Sequence, residues 1–166
     1  MRKLLIVILL VGAFGLFAQI PVGTKEVGVE ADIGDLLAKD FTYLIHGYGG
    51  YFFIDNLEGL LGVGLGGTTM DLPEGFKTSA LGLTIGAYYH APMSEMLGFF
   101  GGAWLGYQSG VVGSTAEGYT YIPFDAGVEF FITKYLGIRV FDRFTINLKE
   151  GMDNTDHIMV SSFAIF

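Results

Sequence analysis

Seven charged residues are spaced so that they could act on one another. Glu26, Glu30 and Asp32 recur at even intervals in one apolar-rich segment, Asp125 and Glu129 in a second, and Arg139 and Arg143 in a third. In a β-strand, residues two apart share a face, so each set would project to one side. Carboxylates facing guanidiniums across a narrow interior can line an ion pathway or gate. They can also fill the space with salt bridges and hydrogen bonds. Buried charge is tolerated only when paired, and this favours the second use. A structural polar network is therefore expected from Glu30, Asp32, Asp125, Glu129, Arg139 and Arg143, with Glu26 on the same face.

Other constellations are weaker. Glu30 and Asp32 are paired carboxylates, but glycoside hydrolysis needs such a pair in an accessible cleft, and nothing in the sequence indicates one. His46, His90 and His157 are far apart and lack metal-ligand spacing. They read as polar residues of strands or strand ends. Ser161 and Ser162 lie near His157, but a nucleophile needs a base within hydrogen-bond reach and an acid to orient it. The run Gly62–Gly67 lacks the Lys-Ser/Thr of a phosphate-binding loop and sits inside a strand pattern. There is no cysteine, which removes disulfides and thiolate metal sites. No cofactor, metal ion or catalytic residue is expected.

The elements that must position these residues follow from composition. Hydrophobic residues make up 51% of the 166-residue chain and charged residues only 16%, against about 25% charged in soluble domains. Part of the surface should face something other than water. Helices are a poor solution beyond the N-terminus. No later stretch supplies the roughly 20 apolar residues of a spanning helix, and 26 glycines are scattered through the apolar segments, which disfavours helix. In lipid the remaining solution is a closed barrel, because no backbone group can stay unpaired there. The net charge of −8 argues against nucleic acid as a partner.

Residues 1–18 read as a signal peptide: Arg2 and Lys3, then the uninterrupted apolar run Leu4–Ala18, too short to be a good membrane anchor. Cleavage is placed after Ala18, leaving residues 19–166 as one barrel domain. Alternation predicts strands near 25–34, 41–54, 58–70, 78–90, 96–108, 117–131, 135–148 and 156–166. Val27, Val29, Ala31 and Ile33 oppose Glu26, Gly28, Glu30 and Asp32; Ile122, Phe124, Ala126, Val128 and Phe130 oppose Tyr121, Pro123, Asp125, Gly127 and Glu129. Apolar faces are assigned to lipid and the faces of glycines and charges to the lumen, the inverse of a soluble carrier barrel. Glycines such as Gly62, Gly64, Gly98, Gly102 and Gly106 would make room for long lumen side chains.

The expected connections alternate in length. Asp55-Asn56, Ala91–Ser94 and Thr133-Lys134 are short; 35–40, 71–77, 109–116 and 149–155 are longer. Short periplasmic turns and longer outer loops are the pattern of membrane barrels, given an N-terminus on the periplasmic side. Aromatics in Tyr51-Phe52-Phe53, Tyr88-Tyr89 and Phe130-Phe131 suggest interfacial girdles. Asp142 breaks the alternation: it points to lipid near mid-strand, so a bulge near Phe141–Arg143 or a shifted strand is expected to relieve it.

The segment Gly50-Tyr51-Phe52-Phe53-Ile54-Asp55-Asn56-Leu57, the Gly-alternating run that follows, and Phe130–Tyr135 resemble the strand–turn–strand units of small OmpA/OmpX-type outer-membrane β-barrel proteins. The resemblance covers the processed chain as pattern and implies an all-β, eight-stranded antiparallel transmembrane up-and-down barrel. It also implies that Phe166 belongs to a terminal assembly signal read by the barrel-insertion machinery. Ala164 and Phe163 depart from that signal, which usually has its aromatic at the position of Ala164. No peptidoglycan-binding domain is expected after Phe166.

The function expected is non-enzymatic: a monomer in the outer membrane, in contact with its lipid, with a structural or surface-interaction role and a side-chain-filled lumen. A lipid-modifying enzyme acting on lipid A acyl chains would instead need a lipid-facing His–Ser pair. A small-solute channel would need a continuous water path, which Arg139 and Arg143 packed against Glu30 and Glu129 would close. A soluble ligand carrier would need the opposite polarity, apolar inside and polar outside.

Overall fold

Alternating apolar residues, broken by turn formers, fold here as a closed sheet. The computed structural model describes residues 20–32, 42–68, 77–110 and 118–166. Eight strands follow in order: β1 (Lys25–Asp32), β2 (Thr42–Ile54), β3 (Leu57–Thr68), β4 (Lys77–Pro92), β5 (Leu97–Gly110), β6 (Tyr119–Phe131), β7 (Leu136–Asn147) and β8 (Thr155–Ile165). Each pairs antiparallel with its sequence neighbours, and β1 pairs with β8 to close the barrel. Closure leaves no unpaired sheet edge. At the seam, Lys25 N donates to Phe166 O at 2.9 Å and Phe166 N to Lys25 O at 3.0 Å.

The polarity is inverted relative to a soluble protein. Val27, Val29, Leu61, Leu83, Ile85, Leu105, Phe124 and Ile138 point outward and are exposed, whereas Glu26, Glu30, Glu58, Asp125, Glu129 and Arg139 are buried. A carrier barrel with an apolar interior is thereby excluded. Such an exterior would cost about 25 cal/mol per Å² in water and nothing comparable in hydrocarbon, so the wall is that of a transmembrane barrel.

The lower rim, at the end of the short connections, is tied down by the N-terminal segment. Asn56 adopts φ 62°, a left-handed conformation that Asn tolerates and a two-residue hairpin uses. It clasps Ile20: Ile20 N donates to Asn56 Oδ1 at 2.8 Å, and Asn56 N donates to Ile20 O at 3.1 Å. The second short turn lies at residues 93–96 rather than Ala91–Ser94, because β4 runs on to Pro92, paired with Gly98. Residues 1–18, the connection expected at 35–40, and most of those expected at 71–77 and 109–116 fall outside the described residues.

Two expectations are corrected. No bulge relieves Asp142. The register runs unbroken through Ala126↔Asp142 and Asp142↔Ile158, so the side chain stays on the outer face, exposed, where it meets the carboxyl of Asp156 on β8. The bulges fall elsewhere, between Phe52 and Ile54 and at Gly66/Gly67. The aromatic pairs also divide between the two faces. Tyr51, Phe53, Tyr89 and Phe130 face outward, but Phe52 and Tyr88 are buried in the lumen.

Candidate functional site

Hairpin register brings the charged residues together. β6 and β7 are adjacent and antiparallel, so acids four apart on one meet arginines four apart on the other: Asp125 lies opposite Arg143 and Glu129 opposite Arg139. Glu26 and Glu30 on β1 complete the set from across β8. The result is two charged tiers in the lumen.

In the lower tier, Arg139 Nη2 donates to Glu26 Oε2 at 2.8 Å, Nη1 also reaches Glu26 Oε1, and Nε donates to Glu129 Oε2 at 3.2 Å. Nη1 further donates to Tyr48 Oη at 2.9 Å, and Tyr48 Oη meets Ser161 Oγ at 3.0 Å. The guanidinium lies 4.1 Å from the Phe163 ring centroid and 5.0 Å from that of Phe100, positions suited to cation–π attraction. His90 bridges two carboxylates, with Nδ1 3.1 Å from Glu129 Oε2 and Nε2 3.2 Å from Glu58 Oε2.

In the upper tier, Arg143 binds Asp125 with both prongs of its fork, Nε to Oδ1 at 2.8 Å and Nη2 to Oδ2 at 2.6 Å, while Nη1 donates to Glu30 Oε1 at 2.5 Å. Such bidentate pairs are among the strongest hydrogen-bonded contacts. His46 lies 2.7 Å from both Glu30 Oε1 and Thr84 Oγ1. Trp104 Nε1 donates to Tyr88 Oη at 2.8 Å and to Asp125 Oδ2 at 3.0 Å, and Tyr88 Oη donates to the same carboxylate. Above this tier His157 Nδ1 meets Asp32.

The backbone makes room for these long side chains. A Cβ on Gly28 would strike the Tyr48 ring, one on Gly50 the Glu58 carboxylate, one on Gly62 the His46 ring, and one on Gly98 the Glu129 carboxylate.

Of the expected network, Glu129 and Arg139 meet in the lower tier, Glu30, Asp125 and Arg143 in the upper, and Asp32 stands apart with His157. Sequence reasoning passed over Glu58, His46 and His90 as network members. Glu58 shares the parity of the lumen-facing Gly62 and Gly64, a signal lost when the strand is begun at Glu58 itself. His46 is directly opposite Glu30 in the β1–β2 register, a fact that depends on a connection whose length alternation does not fix. Glu58 Oε1 is buried without a partner, alone in this among the described residues. Ser161 is inside, bonded to Tyr48, while Ser162 faces outward and His157 inward. These residues therefore do not form a lipid-facing His–Ser pair. Phe166 is exposed at the closing seam.

No protein-family model matches the chain, and no curated protein matches it. Solved structures do. The N-terminal β-barrel domain of OprF from Pseudomonas aeruginosa superposes with a TM-score of 0.65 at 16% identity, covering 87% of this chain and 98% of that one. A de novo designed transmembrane β-barrel gives 0.55 at 15% identity, covering 90% and 100%. The outer membrane protein Ail of Yersinia pestis, in a phospholipid bilayer nanodisc, gives 0.51 at 14% identity, covering 87% and 99%. A designed barrel matches about as well as a natural one, so the likeness speaks for architecture and not for a task. The chain has the fold of the small eight-stranded outer-membrane barrels.

Proposed function

We propose that this chain is a non-enzymatic outer-membrane barrel, exported by residues 1–18, that serves as a structural or surface element and does not conduct. The observation that carries the reading is the reach of both guanidiniums across the lumen, Arg139 to Glu26 and Arg143 to Glu30. An eight-stranded barrel has an interior just wide enough for side chains to fill, and two tiers of ion pairs spanning it support a lumen closed to solutes. The apolar wall supports lipid as its constant partner and a monomer as its working form. Phe166 at the end of the closing strand is suited to be read by the insertion machinery. The acidic chain is unsuited to nucleic acid.

The test is reconstitution of the processed chain into planar lipid bilayers. The expected record is a flat baseline under applied potential. Reproducible unit steps that disappear when the protein is omitted would overturn the proposal in favour of a small-solute channel.

A further inference from the structure

The lumen does not end at the upper tier. The parity that directs Arg143 and Asp125 inward continues toward the end of the long connections, through Thr145 and Asn147 on β7, Tyr121 and Tyr119 on β6, and Gln108 on β5. Together these line a cavity of about 410 Å³, within the usual range of small-molecule sites. Trp104, Arg143 and His46 contribute at its inner end.

The chemistry of the lining divides by depth. At the inner end the charges are engaged with one another: Arg143 holds Asp125 and Glu30, and His46 holds Glu30 and Thr84. Toward the mouth the lining is largely uncharged and hydrogen-bonding, with the hydroxyls of Thr145 and Thr155, the amide of Gln108, whose Oε1 accepts from Tyr119 Oη at 3.2 Å, and the amide of Asn147, whose Nδ2 donates to the Asp153 carbonyl. Tyr119 and Tyr121 add two aromatic rings tilted to one another, their centroids 5.8 Å apart at 49°. Acidic Asp153 is part of the lining, and the guanidinium of Arg143 at the inner end is already held by two carboxylates, which disfavours an anion. Aromatic faces beside neutral hydroxyls and amides suit a molecule with apolar C–H faces and many uncharged hydroxyls.

We propose that this cavity is a binding site for a neutral saccharide of one or two rings, which stacks on Tyr119 and Tyr121 and hydrogen-bonds to Thr145, Asn147 and Gln108. A ligand there would cover aromatic surface otherwise left to water, without breaking an ion pair.

The sequence contains one tryptophan, Trp104, so intrinsic fluorescence reports on this cavity. The full processed chain, folded in detergent micelles, is titrated with maltose, sucrose and chitobiose, read by Trp104 emission and by calorimetry. Sucrose octasulfate and spermidine serve as charged counterparts. Saturable binding of at least one neutral sugar at millimolar concentration is expected. Tyr121→Leu should weaken it about tenfold, or about 1.4 kcal/mol, and Thr145→Val should weaken it less, with both variants shown to be folded by a heat-dependent gel shift. Three outcomes overturn the proposal: no saturable response to any neutral sugar in either readout; saturation by the sulfated sugar or the amine alone; or neutral-sugar binding that both variants leave unchanged.

Discussion

Arg139 shows how one side chain can hold distant parts of the chain. It ties β7 to Glu26 of β1 and to Glu129 of β6, and stacks on Phe163 of β8. Removing one partner of a buried charge pair costs about 3–5 kcal/mol, because the other charge is left unpaired. Arg139→Ala is therefore expected to lower the unfolding free energy in urea, measured in detergent or vesicles, by about 3 kcal/mol. Glu58→Gln should do the opposite, by about 1 kcal/mol. It keeps an acceptor for His90 while removing a buried negative charge whose second oxygen has no partner. Equal effects of the two variants would mean that the lumen charges are not individually paired as described. Much of this scale was legible in advance. Asp125/Glu129 and Arg139/Arg143 share a four-residue spacing on either side of a short turn, and antiparallel pairing makes them meet. The histidines were not legible, because their partners lie on strands joined by longer connections or on strands that are not neighbours, where only the closed barrel sets the distance.

At the scale of the strand, parity assigned each residue to lipid or lumen with few errors, because a period of two leaves no intermediate choice. It could not say how an outward charge is accommodated: Asp142 stays outward beside Asp156 on an unbroken ladder, and no bulge is spent on it. It does separate aromatics that face lipid from those that pack inside, a division that reading adjacent aromatics as an interfacial girdle overlooks. Tyr51 and Phe52 are neighbours, so one must point each way, and Phe163 sits beneath Arg139 rather than on the outer wall. Strand glycines obey the same division. Gly28→Ala would drive a methyl into the Tyr48 ring, whereas a methyl on Gly47 meets nothing within 4 Å. Overpacking of this kind costs about 1–3 kcal/mol. Gly28→Ala is expected to destabilise by that amount in the same urea experiment, and Gly47→Ala to be neutral or slightly stabilising. Equal losses would mean that strand glycine serves the backbone generally and not the lumen side chain beside it.

For the whole molecule, polarity and closure are one property. An outward apolar wall is stable only in lipid or detergent, and the sheet can present that wall without exposed edges only because β1 and β8 are joined. The charged tiers add a second closure inside the first, since Arg139–Glu26 and Arg143–Glu30 link residues 113 positions apart. Unfolding must break the seam and these bonds together, which predicts a cooperative barrel that resists cold SDS. Protein recovered from an outer-membrane fraction should run as a compact, faster band without heating and as a slower band after boiling. Arg139→Ala should convert to the slow form at a lower temperature than the native chain, because it loses the internal bond but keeps the backbone seam. A shift of mobility on boiling with no difference between the two would assign the resistance to the sheet alone. A periplasmic, water-soluble protein with a single band under both conditions would contradict the inverted polarity itself, since a wall of exposed valine, leucine, isoleucine and phenylalanine could not stay dispersed in water.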